Sequence, residues 1–388
     1  MLARGKRSYL TLAIALVASG SCDDLFGPRG NGGAVLWMVP SGAPTDGTPH
    51  DPVANADLSM AYFVTPDYRL RKIRGSDGWV MWDVPVGGAF VTVPGWNAVL
   101  AGAIVAVVKV DVFAFDTVAG VARWTYVAPD LEETGYSALA SDGETVYAAG
   151  RTARIHAINA SSGIARWVAD LREGQGDVGA LNPTYADGVV FVCTRTLAIP
   201  IRGTLWALDA ATGAVRWSYR FQPELPQQGS SCYGPAVAWN DLVIVPQEDG
   251  RVFAFDRESG AVRWTAPRVH DVAQSLGDHR WAAIAGNTLL VTNSSTPAML
   301  VAYDPASGAE RWRATRWGGS LYPPVMDESV AYVDHGWIFV SYDVASGKVH
   351  WQTGQSFATP DPPVIGRAVI ANDRIYVGGM NGSYALRK

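Results

Sequence analysis

Short apolar runs separated by polar turns recur along the whole chain. In one copy the apolar run Phe253 to Phe255 is followed by Asp256, a turn containing Gly260, and a second run, Ala261 to Trp264. An aspartate or asparagine at this place can accept hydrogen bonds from the backbone amides just ahead of it, and glycine readily adopts the positive φ that such a turn needs. The pattern therefore predicts two short strands joined by a tight turn.

Eight copies of this unit end in a tryptophan that has a glycine four residues before it. The tryptophans are Trp37, Trp82, Trp124, Trp167, Trp217, Trp264, Trp312 and Trp351, and the glycines are Gly33, Gly78, Gly120, Gly163, Gly213, Gly260, Gly308 and Gly347. Eight residues before the tryptophan, six copies have Asp or Asn, whereas the two earliest have Arg29 and Arg74. The intervals between tryptophans are 45, 42, 43, 50, 47, 48 and 39 residues, which leaves room for four short strands each. Each interval therefore predicts one four-stranded blade of a β-propeller.

The two ends of the chain predict that the blades form a closed ring. After Trp351 come strand-like runs near residues 363–370, 374–378 and 382–386, and the chain then lacks the turn and tryptophan strand that should follow. That missing strand is present at the other end, in Gly33 to Trp37. Pairing the first strand with the last three would close the ring without an open sheet edge. We therefore expect an all-β, eight-bladed propeller over residues 33–388.

Composition agrees with this fold and argues against nucleic acid as a ligand. Hydrophobic residues make up 48% of the chain and charged residues 17%, and the chain contains 41 Gly, 15 Trp and 15 Tyr, which suits strands joined by tight turns. The net charge is −5, and no basic run stands out.

The repeat resembles the PQQ-like repeat, whose blades carry an A-x-D-x-x-T-G-x-x-x-W signature. The fullest match is the segment with Ala207, Asp209, Thr212, Gly213 and Trp217 all in place. The resemblance implies that each of the eight tryptophans docks its blade onto a neighbouring blade. It covers the chain from about residue 33 to the end and is specific for fold rather than for function.

The first 32 residues are typical of an export signal followed by a tether. Basic residues precede the apolar run Leu10 to Ala18, which is too short to span a bilayer. Small residues then lead to Cys22, which looks like a bacterial lipoprotein site, although Ser19 stands where such sites usually have leucine. Cleavage near Gly20 without lipidation is the alternative, and Asp23 leaves the choice between inner and outer membrane open. Residues 23–32, rich in glycine and proline, predict a tether.

Three long connections are predicted to share one face of the ring and to bind a partner. They are Val168 to Pro183, Ser218 to Pro235 and Thr265 to His279. Equivalent connections of successive blades project the same way, and long loops on a rigid ring commonly carry binding residues. We expect Arg172, Phe221 and Arg268 to contact the partner, since arginine and aromatic side chains dominate interface energetics. Tyr219, Arg220 and His270 add to the same character.

The cysteines and histidines give weaker indications. Cys193 could form a disulfide with Cys232 in an oxidising compartment, and two separate buried thiols are the alternative. His270 and His279 stand beside Asp271 and Asp278 in one loop and could form an acid/base or metal site, but such residues are more often solvated loop positions. The sequence has no Cys/His cluster at zinc spacing.

Two resemblances imply different functions. Quinoprotein dehydrogenases use eight-bladed propellers of this repeat, but they typically carry a disulfide between adjacent cysteines, which this chain lacks. The better match is to the non-enzymatic lipoprotein members, among them BamB, the propeller subunit of the outer-membrane protein assembly machinery. The segment from Leu171 to Glu173 is similar to the partner-binding loop of that subunit. We therefore expect a non-catalytic envelope scaffold without a cofactor or metal that binds envelope proteins; the alternatives are a PQQ-dependent oxidoreductase and a propeller that binds cell-wall carbohydrate or peptide.

Overall fold

The computed structural model describes residues 32–42, 52–65, 67–87, 98–108, 110–129, 135–172, 177–196, 201–223, 229–232, 234–267, 280–293, 298–316, 322–335, 338–353, 364–379 and 382–388. The predicted signal peptide and all but the last residue of the predicted tether lie outside these residues.

Within the described residues, 32 strands form eight antiparallel four-stranded sheets, as the repeat predicts. Blade 1 contains β2 (Pro52–Ala54), β3 (Met60–Thr65), β4 (Arg69–Arg74) and β5 (Val80–Pro85). Blade 2 contains β6 (Ala98–Ala101), β7 (Ile104–Val108), β8 (Val112–Asp116) and β9 (Ala122–Tyr126). Blade 3 contains β10 (Tyr136–Ser141), β11 (Thr145–Gly150), β12 (Arg154–Asn159) and β13 (Ala165–Asp170). Blade 4 contains β14 (Asp177–Ala186), β15 (Val189–Thr196), β16 (Gly203–Asp209) and β17 (Val215–Arg220).

The second half of the ring repeats this order. Blade 5 contains β18 (Val237–Trp239), β19 (Leu242–Pro246), β20 (Val252–Asp256) and β21 (Val262–Ala266). Blade 6 contains β22 (Arg280–Ala285), β23 (Thr288–Asn293), β24 (Ala298–Tyr303) and β25 (Glu310–Arg316). Blade 7 contains β26 (Val325–Met326), β27 (Val330–Asp334), β28 (Phe339–Asp343) and β29 (Val349–Gln352). Blade 8 joins β1 (Val35–Pro40) to β30 (Val364–Ile370), β31 (Arg374–Gly379) and β32 (Gly382–Arg387).

Blade 8 confirms the predicted ring closure. The first strand, β1, pairs antiparallel with the last, β32, so that Trp37 lies opposite Ala385 and Pro40 opposite Gly382. Because the two ends of the chain share one sheet, no blade is left with an unmatched neighbour.

Each blade runs from an innermost strand at the ring axis to an outermost strand at the wall. The turn between the third and fourth strands therefore lies at the same end of the ring as the turn between the first and second; we call this end the turn face. The turn between the second and third strands lies at the opposite end, together with the connection to the next blade. We call that end the loop face.

Turns that have Asp or Asn eight residues before the tryptophan show the geometry that the sequence predicts. In blade 4, Asp209 Oδ1 accepts a hydrogen bond from the Thr212 amide (3.0 Å), and the Gly213 amide donates to the Asp209 carbonyl (2.8 Å). The glycines of all eight copies have φ between +70° and +76°, a region that side chains with a Cβ rarely adopt.

Each tryptophan packs on the turn glycine of the next blade. A Cβ added at Gly213 would lie 2.6 Å from the Trp167 ring, and Trp351 lies equally close to Gly33, across the ring closure. The indole of Trp217 donates to the carbonyl of Arg257 in blade 5 (3.0 Å), and five other tryptophans make the equivalent bond. These contacts are the docking geometry that the family resemblance implied, and a separate apolar cluster fills each of the eight gaps between blades.

Candidate functional site: the loop face of blades 3 to 5

One of the three predicted binding loops is shorter than the sequence suggested. Strand β13 extends to Asp170 and β14 begins at Asp177, so most of the segment from Val168 to Pro183 is strand and only residues 171–176 connect the two blades. The connection between β17 and β18 is long, covering residues 221–236. The segment after β21 lies mostly outside the described residues, and with it Arg268, His270 and His279.

Phe221 is a core residue, so its assignment as a partner contact was wrong. Its side chain is fully buried, and it packs against Phe253 at 5.4 Å and Phe255 at 6.1 Å between ring centroids. Its amide donates to the Gly203 carbonyl (3.0 Å), which ties the end of β17 to the neighbouring turn. A side chain held in this way cannot present itself to a partner.

The same repeat position is buried in two other blades. Leu171 and Val86 also stand four residues after their tryptophan, are 2% exposed, and donate their amides to the adjacent turn. The sequence carries only part of this signal, because the position is apolar in blades 1 to 4 but polar in the other four copies, where it holds Ser41, Arg268, Arg316 and Gln355. Aligning the residues after the tryptophan therefore suggests burial for the first four blades without establishing it for Phe221.

Arg172 lies at the surface, as the prediction of a partner contact requires. Its guanidinium Nε donates to Asp170 Oδ1 (2.8 Å), and Arg154 approaches the other oxygen of the same carboxylate (3.4 Å). The hydrogen bond from Arg172 lowers the pKa of Asp170 to about 2. The carboxylate therefore stays ionised at neutral pH and holds Arg172 in place while leaving it exposed.

Arginines converge on this face from several separate parts of the chain. Among the described residues of blades 3 to 5 they are Arg151, Arg154, Arg172, Arg195, Arg202, Arg220 and Arg251, and the acidic residues there are Asp170, Asp177, Glu248 and Asp249. Arg151, Arg172 and Arg220 are exposed. Among the described residues of this sector, arginines therefore outnumber acidic residues, although the whole chain carries a net charge of −5.

Ion pairs hold two of these arginines at the surface of blades 4 and 5. Arg251 donates to the buried Asp249 carboxylate (2.6 Å) and to the Gln222 carbonyl (2.6 Å), and its guanidinium lies 4.9 Å from the Phe253 ring centroid. Arg195 lies 3.7 Å from the buried Glu248 carboxylate. Buried carboxylates beneath partly exposed guanidinium groups fix the orientation of these arginines.

A disulfide supports the floor of this site. Cys193, in β15, is bonded to Cys232, which precedes β18, with the Cα atoms 6.0 Å apart. Ser231 lies next to Gly203, so close that a Cβ there would meet the Ser231 Cα at 2.8 Å. The disulfide thus joins the loop-face segments of blades 4 and 5. Of the two alternatives that the sequence left open, a disulfide and two separate thiols, the structure has the disulfide.

A buried polar group lies beside the disulfide. Gln247 is fully buried, and among the described residues neither its amide nitrogen nor its amide oxygen has a hydrogen-bond partner; the buried Ser230 and Ser231 hydroxyls are in the same situation. Buried polar groups normally have partners, because leaving them without one costs free energy. This sector of the loop face therefore has hydrogen-bonding capacity that the described chain does not use.

The ring axis holds an apolar cavity of about 580 Å³ that is separate from the arginine-rich sector. Its walls are uncharged innermost-strand residues such as Leu139, Tyr185, Ile284 and Met326. Trp281 and Leu181, both buried, pack together beside it. The described residues that line this cavity offer no cationic or carboxylate group to an anionic cofactor or a metal.

Within the part of the chain that the structure describes, no group of three or more His, Cys, Asp or Glu side chains is arranged to hold a metal ion. The same residues contain no helix with the length and apolar character needed to cross a membrane.

Comparison with known proteins places this geometry in a family. The sequence profile described as "Outer membrane protein assembly factor BamB" matches residues 111–271 and 267–387. No curated protein matches the chain.

Solved structures share the fold at low sequence identity. The crystal structure of BamB from Moraxella catarrhalis has 17% identity and a TM-score of 0.66, covering 91% of this chain and 97% of that one. The computationally designed protein Ika8 has 11% identity and a TM-score of 0.70, covering 92% and 99%. The quinohemoprotein alcohol dehydrogenase from Comamonas testosteroni has 13% identity and a TM-score of 0.63, covering 91% and 76%. BamB, a designed protein and an alcohol dehydrogenase are all similar to this chain, so the likeness shows the fold alone.

Proposed function

Because this chain belongs to the family described as outer membrane protein assembly factor BamB, we propose that it is a non-catalytic scaffold of the bacterial cell envelope. Its loop face binds another protein, and its N-terminal Cys22 carries a lipid that anchors it at the periplasmic face of a membrane. An outer-membrane assembly machine is the partner that the family description suggests. The anchoring rests on the sequence around Cys22 alone.

The arginine-rich sector of blades 3 to 5 is the observation that carries this proposal. Arginine is enriched at protein interfaces because its planar guanidinium forms paired hydrogen bonds and stacks on aromatic rings. Here Asp170, Glu248 and Asp249 orient several guanidinium groups. Arginines oriented in this way suit a partner that presents carboxylates, since complementary charge increases the association rate and selects against wrong partners.

Alanine substitutions of exposed loop-face arginines test this proposal. We expect Arg172→Ala and Arg220→Ala together to reduce the recovery of envelope proteins after crosslinking, because each true anchor contributes about 1 to 2 kcal/mol to binding. Arg313→Ala, on the wall of blade 6, is the matched control, since it removes a part-exposed arginine far from the site. Thermal unfolding of all variants should first be shown to be alike.

Equal recovery from the double variant and the control would reject the loop face as the binding surface. Recovery that falls as salt is raised, for the unmodified chain, would support charge complementarity with the partner.

An oxidoreductase is the alternative, because dehydrogenases share the fold. Against it stand the separate positions of the two bonded cysteines and the uncharged walls of the central cavity. Adding the quinone with calcium should produce no dye reduction above a boiled control. A glycan array in parallel tests the second alternative, binding of cell-wall carbohydrate.

A further inference from the structure

The outer strand of every blade has a β-bulge at the residue directly before the repeat tryptophan. In blade 4, Ala207 lies opposite Trp217 while the next residue, Leu208, lies opposite Val215, so Arg216 is the extra residue of the bulge. The same register shift occurs in all eight blades. The ring therefore offers eight equivalent bulge positions that can be compared directly.

Six bulge residues are basic and two are apolar. The basic residues, in blades 2 to 7, are Arg123, Arg166, Arg216, Arg263, Arg311 and His350, and the apolar residues are Leu36 in blade 8 and Met81 in blade 1. Five of the basic residues contact the turn aspartate of their own blade, as Arg216 does with Asp209 (2.7 Å). Blades 8 and 1, which have Arg29 and Arg74 in place of that aspartate, lack this ion pair.

The two apolar bulges lie side by side, because blades 8 and 1 are neighbours in the closed ring. Around them the wall is exposed: Val35 is 43% accessible, Leu36 37%, Met38 45%, Trp79 64% and Met81 47%. We call these five residues the apolar wall. Blade 2 also exposes Val118, Val121 and Val127, and blade 3 exposes Ile164 and Val168, but in both blades the bulge residue is an arginine.

We propose that the apolar wall rests on the lipid surface of the membrane and so fixes which side of the propeller faces the bilayer. This inference rests on the lipid anchor of the proposed function. The outer strands of two neighbouring blades can contact a flat membrane surface at the same time. A strand from another protein, the alternative, would pair with the outer edge of only one blade. Tryptophan, leucine and methionine beside a few mutually paired charges, such as Arg74 with Asp77 (2.9 Å), suit the membrane–water interface.

The position of the tether also supports contact between the apolar wall and the membrane. Strand β1, which carries three residues of the apolar wall, begins three residues after the segment 23–32 that links it to Cys22. Ten residues reach at most about 35 Å even when fully extended. A lipid on Cys22 would therefore keep blade 8 close to the bilayer at a high effective concentration, and weak apolar contacts would then be enough to orient the ring.

Fluorescence quenching by lipid-borne nitroxide tests the orientation. Val35 in blade 8 and Val215 in blade 4 are a matched pair, because both stand two residues before the tryptophan on opposite sides of the ring, with 43% and 48% exposure. Val35→Cys and Val215→Cys are expressed with the native signal, purified from membranes and labelled at the new thiol. They are then reconstituted in phosphatidylethanolamine–phosphatidylglycerol vesicles that contain headgroup-labelled nitroxide lipid. Native-like thermal unfolding of both labelled chains is the control for folding.

We expect loss of fluorescence at residue 35 and none at residue 215. Equal quenching at both positions, or quenching at neither, would overturn the proposal. Mass spectrometry of the purified chain distinguishes the two hypotheses: an unacylated Cys22 would refute the anchor. In that case Cys22→Ser is added to both labelled variants, so that no second thiol is labelled, and the variants are mixed with the same vesicles. Quenching at residue 35 but not at residue 215 would still support membrane contact by the apolar wall. No quenching at residue 35 would overturn it.

Discussion

At the turn face every blade repeats one structure, whereas at the loop face neighbouring blades differ in length, charge and cross-links. The turn-face glycines share a φ within six degrees of one another, and each lies against the tryptophan of the preceding blade. The loop face instead combines a short connection in blade 3, a disulfide between blades 4 and 5, and arginines that occur at no fixed repeat position. Periodic positions therefore hold the ring together, and positions that depart from the period are where binding should be sought.

Removing the first strand should produce the largest effect on the ring. Deletion of Gly33 to Trp37 takes β1 away from β32 and removes the contact between Trp351 and Gly33. We expect the cooperative thermal transition to be lost or displaced strongly to lower temperature, because one blade loses its outer strand and two blades lose their closing contact. Unfolding like that of the intact chain would reject closure as a source of stability.

Removing one docking tryptophan should have the next largest effect. Trp217 packs against Phe191 and Phe255 at about 6 Å between ring centroids and donates a hydrogen bond to the next blade. We expect Trp217→Ala to lower the free energy of unfolding by about 3 kcal/mol, toward the low end for large aromatic truncations because the ring is only part-buried. Denaturant titration measures this.

Arg220→Ala, three residues further on at the loop face, is the contrast to that substitution. It should change the free energy of unfolding by less than about 0.5 kcal/mol, as is usual for surface positions. If Trp217→Ala and Arg220→Ala lowered the free energy of unfolding by similar amounts, the periodic positions would not be more important for stability than the loop-face positions.

Two glycines allow the blade-to-blade contact to be separated from backbone strain. Gly213 and Gly188 have φ of +74° and +80°, but a Cβ at Gly213 would meet the Trp167 ring at 2.6 Å, whereas at Gly188 the nearest atom is the flexible end of Arg216 at 4.0 Å. Both alanine variants should lose about 1 kcal/mol through strain, and Gly213→Ala should lose a further 1 to 3 kcal/mol through overpacking. Equal losses in denaturant titration would mean that the tryptophan moves aside without cost.

The smallest effect concerns one turn aspartate. The hydrogen bond from Arg216 lowers the pKa of Asp209 to about 2 from its ordinary value of 3.8. A carboxyl with a lowered folded pKa stabilises the fold above about pH 4, and this contribution is lost as the pH falls toward 2. Arg216→Leu should raise the pKa of Asp209, as followed by carbon NMR of the carboxyl, while Asp170 at the loop face keeps its pKa of about 2. An unchanged pKa of Asp209 would show that the hydroxyl and amide of Thr212 account for the shift without Arg216.

The sequence predicted the candidate site less well than the fold, and Phe221 and Arg251 show why. Phe221 was assigned to the surface because a loop with arginine and aromatic residues resembles an interface, yet burial in the gap between two blades decides its position. Arg251 was not singled out, because it stands alone in its own turn and joins the other arginines only when blades 4 and 5 are placed side by side. The residue types in a loop do not show which other loops it will contact, and that contact decided the position of both residues.

By itself the sequence determined the number of blades, the four strands of each, the turn before every tryptophan and the strand exchange that closes the ring. It could do so because these features depend on local spacing, which is repeated eight times, and on the one strand that the last repeat lacks and the first segment of the repeat region supplies. Only the tertiary structure decided that Phe221 is buried between two blades and that separate arginines share one face. Those properties depend on contacts between residues far apart in the chain, and such contacts leave no pattern in any single segment.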